Sequence, residues 1–154
     1  SSIGYNLKPL DLQCAIGIEQ LKKLPEFTKR RKENFDRIYE TIKKYEDKII
    51  LPQSLPESNS SWFSFPITIR NDTQFKRADI VAYLECKNIE TRMLFGGNIL
   101  KQPGYKKIKR RIVGDLKNTD KILNDTFFIG VYPGLTEEEG AYICESLDGF
   151  FKNI

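Results

Sequence analysis

Trp62-Phe63-Ser64-Phe65-Pro66-Ile67-Thr68-Ile69 is the run on which the fold turns. Aromatic and β-branched side chains alternate along it, and such residues fit a pleated, half-buried surface. Pro66 has no amide hydrogen to give a ladder, so the strand belongs at an edge or a bulge. Before it, residues 52–59 are rich in Pro and Ser and read as a surface loop, and residues 48–51 read as a short strand. After it, Asn71-Asp72 turns the chain into a helix at 74–87 with Ile80, Val81 and Leu84 facing inward, and residues 89–94 form a strand. Phe95-Gly96-Gly97-Asn98 breaks that strand, and 102–116 is irregular and basic. A short helix at 118–124 and a strand at 127–131 follow. Thr136 and Glu139 have capping-box spacing, opening a last helix whose Ile143, Leu147, Phe150, Phe151 and Ile154 recur at helical intervals. Upstream, Pro9 suits the first turn of a helix to about residue 24, and Pro25 suits the start of a second over 25–45. The order predicts an α+β fold: an N-terminal helical pair followed by a small sheet with helices packed on one face.

The first helix carries Leu10, Leu12, Cys14, Ile16, Ile18, Leu21 and Leu24 around most of its cylinder, so it calls for cover on most sides. The second is amphipathic, with Phe27, Phe35, Ile38, Ile42 and Tyr45 on one face. Its basic residues alternate with Glu26, Glu33, Asp36 and Glu40 and read as a solvated face.

Composition excludes several classes. The 154 residues are 40% hydrophobic and 12% aromatic, too rich in core-forming side chains for a disordered chain. No apolar run nears the ~18 residues that cross a bilayer, which predicts a soluble protein with no membrane partner. Lys and Arg exceed Asp and Glu by only 25 − 21 = 4, which by itself predicts no nucleic acid. Histidine is absent, so no Ser-His or Cys-His nucleophile and no His-containing metal site can be built from this chain alone. Cys14, Cys86 and Cys144 are odd in number and set among apolar residues, as reduced core thiols in a cytoplasmic protein are. Ser1-Ser2-Ile3-Gly4 has neither an initiator Met nor a leader pattern, and reads as part of a longer protein.

Few residues carry chemistry. Lys106-Lys107-Ile108-Lys109-Arg110-Arg111 concentrates cations but lacks the interleaved aromatic side chains of a nucleic-acid platform. Gly96-Gly97-Asn98 permits close backbone approach to an anion, without the spacing of a phosphate loop. Arg92 stands at a strand end beside that turn, where a planar guanidinium can grip an oxyanion through two bonds. No pair of carboxylates is spaced for acid–base work, and no catalytic or metal-ligating residue is assigned.

Longer strings say more. Gly4-Tyr5-Asn6-Leu7-Lys8-Pro9-Leu10-Asp11-Leu12-Gln13-Cys14-Ala15-Ile16-Gly17 resembles the opening of the C-terminal part of the DegT-type nucleotide-sugar aminotransferases, which are fold-type-I pyridoxal phosphate enzymes. Thr91-Arg92-Met93-Leu94-Phe95-Gly96-Gly97-Asn98, Val113-Gly114-Asp115-Leu116 and the run from Asn124 to Thr136 are similar to one branch, the CDP-4-keto-6-deoxyglucose 3-dehydratases of lipopolysaccharide sugar synthesis.

The resemblance implies residues 1–47 as a helical segment linking to a large domain and 48–154 as the small α+β C-terminal domain. It implies a lyase acting with pyridoxamine or pyridoxal phosphate on a 4-keto sugar, with the proton-transferring His and any iron–sulfur cluster upstream. This chain alone is then expected to be inactive and to bind no cofactor. The implied partners are the large domain, a second subunit in a homodimer, the nucleotide-sugar substrate and an iron–sulfur flavin reductase. Asn6 is implied to reach the cofactor phosphate, and Arg92, Phe95, Gly96, Gly97 and Asn98 to face the substrate. Alternatives are a sugar aminotransferase, with Lys in place of the His, and a non-catalytic oligomerisation or binding module. Because a large domain would cover it, the first helix is expected to be exposed for its apolarity when this chain is viewed alone.

Overall fold

The computed structural model describes residues 7–154. Four helices and a four-stranded sheet follow one another: α1 (Asp11–Ile42), β1 (Ile49–Ile50), β2 (Ser64–Ile69), α2 (Arg77–Cys86), β3 (Thr91–Met93), α3 (Lys117–Asp125), β4 (Thr126–Gly130) and α4 (Glu137–Lys152). The α+β class and nearly every expected element are present.

The expected helical pair is instead one continuous helix. Pro25 lies inside α1, not at the head of a second helix. A proline there removes one helical donor and leaves the carbonyl four residues back without its partner. That carbonyl belongs to Leu21, in a stretch where every residue from 7 to 27 is exposed, so water can satisfy it and the helix continues.

The sheet is antiparallel throughout, in the order β1-β2-β4-β3. β1 pairs only with Thr68 and Ile69, so Pro66 has a ladder neighbour on one side alone, Phe128 of β4. That half-open edge is what a residue without an N–H requires. Along β2 the alternation is clean, with Phe65, Ile67 and Ile69 buried. They pack with Phe35, Ile38 and Ile42 from α1, Ile80 and Leu84 from α2, and Leu147 and Phe151 from α4 into one core. β4 is central and buried on both faces: Phe127 and Ile129 enter the core, and Phe128 closes the other side.

The capping box at α4 forms as expected. The Glu139 amide donates to the Thr136 hydroxyl at 3.1 Å, and the Glu139 carboxylate accepts from the Thr136 amide at 2.8 Å. The ties between α1 and this end of α4 overturn the reading of the α1 basic residues as merely solvated. Arg30 donates to the Leu135 carbonyl at 2.8 Å and to the Glu137 carboxylate at 3.3 Å, and Arg37 also pairs with Glu137. Two guanidiniums hold the Glu137 carboxyl below its ordinary range. Asn34, buried beneath them, donates to the Tyr132 carbonyl at 2.8 Å. These cations are about a hundred residues from their partners, so only folding brings them together.

Two further expectations are corrected. Of the three thiols only Cys144 is in the core, since Cys14 and Cys86 are exposed. Cys86 sits at the outer end of α2, and Cys14 lies on the first half of α1, where the described chain supplies no cover. Ile154 is 40% exposed, because it lies beyond the end of α4. By contrast, the first half of α1 is as bare as expected: Leu12, Ile16, Ile18, Leu21 and Leu24 are all more than half exposed. All of this helix's buried residues, Asn34, Phe35, Ile38 and Ile42, lie in its second half.

Candidate functional site

A cavity of about 650 Å³ opens where β3 and the end of β4 meet the first turn of α4. Phe63 and Phe128, with ring centres 6.0 Å apart, line it together with Tyr132, Tyr142, Arg92 and Glu90. Glu90 immediately precedes β3 and Arg92 lies within it. Glu90 accepts from Arg92 Nε at 2.9 Å, and the same carboxylate oxygen pairs with Nη2 at 2.8 Å, leaving Nη1 without a partner among the described residues. Both side chains are largely exposed, so the pair contributes little to stability and can exchange its bonds for those of a ligand.

The supports behind this pair are firmer. Glu85, on α2, accepts from the Thr91 amide at 2.8 Å and the Thr91 hydroxyl at 2.7 Å, which hold its carboxyl below the usual range and fix the start of β3. Arg31 donates to the carbonyls of Trp62 and Phe63, both at 3.3 Å, which sets the Phe63 wall. Trp62 adopts φ 46°, unusual for a bulky residue, and its ring stacks on Phe35 at 4.0 Å.

The expected substrate residues do not act alike. Arg92 lines the cavity. Phe95 is 76% exposed and joins Phe63 and Phe128 in an aromatic cluster, with ring centres at 6.5 and 5.9 Å. Gly96 has open space around it. Gly97, at φ 54°, lies against Leu123 of α3 so closely that an added Cβ would come within 2.9 Å of the Leu123 Cα. Asn98 is buried, with its amide donating to Asp120 at 2.7 Å and its carbonyl oxygen accepting from the Leu100 amide at 3.0 Å. Asn6 lies outside the described residues. Glu90 and Phe63 were missed as site residues, although the two-residue interval between Glu90 and Arg92 was a readable signal.

Three amides of the turn are already engaged. The amides of Phe95, Gly97 and Leu100 donate inward, to Met93, Leu94 and Asn98. No lysine lines the cavity. Among them no three His, Cys, Asp or Glu side chains are grouped to hold a metal, and no helix is long and apolar enough to cross a membrane. The basic run 106–111 is exposed and does not line the cavity; Arg110 turns back onto the carbonyls of Tyr105, Lys106 and Ile108. What the cavity offers is a guanidinium, a carboxylate and aromatic faces, which suit an oxygen-rich ligand with an apolar side.

The chain matches the DegT/DnrJ/EryC1/StrS aminotransferase family over residues 1–148. It is 42% identical to the lipopolysaccharide biosynthesis protein RfbH of Salmonella typhimurium strain LT2 over 151 residues, covering 98% of this chain and 35% of that protein. It is 43% identical to the dTDP-4-dehydro-2,6-dideoxy-D-glucose 3-dehydratase of Saccharopolyspora spinosa, covering 97% of this chain and 32% of that one. Among solved structures, the E. coli GDP-4-keto-6-deoxy-D-mannose-3-dehydratase with bound hydrated PLP superposes with a TM-score of 0.83 at 32% identity, covering 94% of this chain and 36% of the other. The chain thus spans about a third of the length of the relatives it matches.

Proposed function

We propose that this chain, which belongs to the DegT/DnrJ/EryC1/StrS aminotransferase family, is the small C-terminal domain of a nucleotide-sugar 3-dehydratase and forms the sugar-nucleotide side of its active site. The observation that carries the reading is Arg92, lining a cavity with Phe63, Phe128, Tyr132 and Tyr142, with one guanidinium nitrogen unengaged among the described residues and Glu90 beside it. The dehydratases among its relatives act, by name, on dTDP- and GDP-linked sugars. The substrate proposed here is a nucleoside-diphosphate 4-keto-6-deoxyhexose for lipopolysaccharide synthesis, with CDP as the nucleotide.

Within that enzyme, residues 1–47 join the domain to a larger one and 48–154 form the domain proper. Asn6 is assigned to the phosphate of the cofactor, where an amide N–H₂ suits an oxyanion. Pyridoxamine phosphate, when bound, supplies the electron sink that lets the C3 hydroxyl depart. This chain's residues bind and orient. Arg92 meets the diphosphate or sugar oxygens, Glu90 accepts from a sugar hydroxyl, and Phe63, Phe95 and Phe128 cover the apolar face and keep water out. Proton transfer falls to a group elsewhere in the enzyme, since this chain has no histidine.

Arg92→Lys in the whole enzyme tests the reading, because an ammonium cannot reproduce the planar fork. The expected result is a KM for the nucleotide sugar raised about tenfold, with an unchanged melting temperature. Early melting with normal kinetics per folded molecule would make Arg92 a structural ion-pair member and overturn the reading. A panel of CDP-, GDP- and dTDP-linked substrates decides the nucleotide, and a product that gains an amino group would identify an aminotransferase instead.

A further inference from the structure

We infer that Asp120 of α3 is a positioning residue for the substrate site, acting through Asn98 to hold the turn that carries Phe95 and follows Arg92. This rests on the reading that Arg92 meets the nucleotide sugar.

The turn between β3 and the 3-10 turn Ile99–Lys101 has backbone bonds of its own and is also tied to α3. Phe95 sits at φ 47°, a region costly for a side chain of that size, and the residue is 76% exposed, so burial does little to compensate the strain. What holds the backbone lies on the other side. Asn98 is only 4% exposed, and a buried amide must find partners. Its oxygen caps the Leu100 amide at 3.0 Å, a bond made within the turn. Its N–H₂ reaches Asp120 at 2.7 Å, 22 residues away, and this is its one side-chain tie to the body of the domain. Asp120 also binds Lys101, three residues beyond Asn98, at 2.8 Å, so one carboxylate holds the C-terminal side of the turn at two points. Gly97 packs against Leu123 on the same helix, and Gln102 donates to the Gly96 carbonyl at 2.8 Å. The turn is thus docked onto α3, and Asp120 is the charged member of the dock. The bonds from Lys101 and Asn98 hold its carboxyl below the usual range, so the acceptor is fully ionised near neutrality.

Asp120 and Asn98 do not line the cavity. Their effect on the substrate must pass through the placement of Arg92 and Phe95, and this separates the idea from direct binding.

The test pairs Asp120→Ala with Asp120→Asn, in the whole enzyme for kinetics and by amide hydrogen exchange. Alanine removes both bonds, whereas asparagine keeps an oxygen that accepts from Asn98 and loses only the charge facing Lys101. Expected for Asp120→Ala is a KM for the nucleotide sugar raised about tenfold with kcat changed much less, and faster exchange of the Leu100 and Gly97 amides. Asp120→Asn is expected to restore both. An unchanged KM in Asp120→Ala, when Arg92→Lys does raise it, overturns this inference alone. An unchanged KM in both variants overturns the substrate-site reading and this inference with it. Unaltered amide exchange in Asp120→Ala, or failure of Asp120→Asn to restore KM, overturns the clamp.

Discussion

Gly97→Ala adds one carbon at the tightest backbone approach in the site. Gly97 has φ 54°, and a Cβ built there lies 2.9 Å from the Cα and Cβ of Leu123 and 2.6 Å from its Cδ1. The left-handed conformation costs an alanine about 1–2 kcal/mol. Cδ1 can swing aside, but the Leu123 Cα is backbone and Cβ is fixed to it, and overpacking of this kind costs about 1–3 kcal/mol. Together they predict a destabilisation of about 2–5 kcal/mol, unless α3 and the turn separate, in which case the aromatic cluster of Phe63, Phe95 and Phe128 loosens too. Gly96 is the internal control, since nothing lies within 4 Å of its added Cβ and its φ is not positive. Gly96→Ala should stay within about 0.5 kcal/mol of the parent protein, the ordinary range for a surface change. Urea unfolding reads both variants: with a slope of about 2 kcal/mol per molar, the Gly97→Ala midpoint should fall by roughly 1–2.5 M. A Gly97→Ala midpoint matching that of Gly96→Ala would refute the close docking of the turn on α3, and with it the argument for Asp120.

Other consequences follow from charge and exposure. Asp148 is bound by Lys152, Lys44 and the Tyr45 hydroxyl, which together hold its carboxyl far below 3.8. A depressed folded value means its stabilisation is present above the unfolded value and is lost as pH falls through the folded one. Asp148→Asn should therefore lower the urea midpoint near neutrality and lose that deficit in strong acid; an equal deficit at both would contradict the ion-pair account. Tyr45, whose phenol burial and the Asp148 carboxylate push up to about 12, should ionise only in that range in an absorbance titration, and an ordinary midpoint would mean that the Tyr45–Asp148 contact is absent. A thiol reagent should modify Cys14 and Cys86 quickly in the native protein, while Cys144, buried and with its thiol pushed up by burial, reacts only on unfolding. Prompt reaction at three thiols would show that α4 is not packed on α1 as described.

The relation between sequence and structure follows the range of each interaction. Features made within a few residues were legible. The alternation of Phe65, Ile67 and Ile69 decides which face of β2 is buried, and the Thr136–Glu139 interval decides where α4 begins. Pro66 announced a half-open edge. The apolar first half of α1 announced a surface with no cover of its own in this chain. The family was legible too, because its strings are runs of consecutive residues. Pro25 misled because a local rule about helix starts gave way to solvation along an exposed helix.

The site was decided at longer range. Arg92 could be singled out from its place before a glycine turn, but its role depends on Phe63 and Tyr132, which sequence separates and the sheet reunites. The resemblance implied that Asn98 faces the substrate. Its burial, and the carboxylate that waits for it 22 residues on, come only from the docking of α3. Arg30 and Arg37 likewise read as solvent-facing until α4 brings Glu137 to them. The sequence by itself determined the elements, their buried faces and the family, since hydrophobic period, turn chemistry and capping act between near neighbours. Only the tertiary structure decided which polar groups are already engaged and which remain for a ligand, since a hydrogen bond depends on a few tenths of an ångström between residues that the chain order keeps far apart.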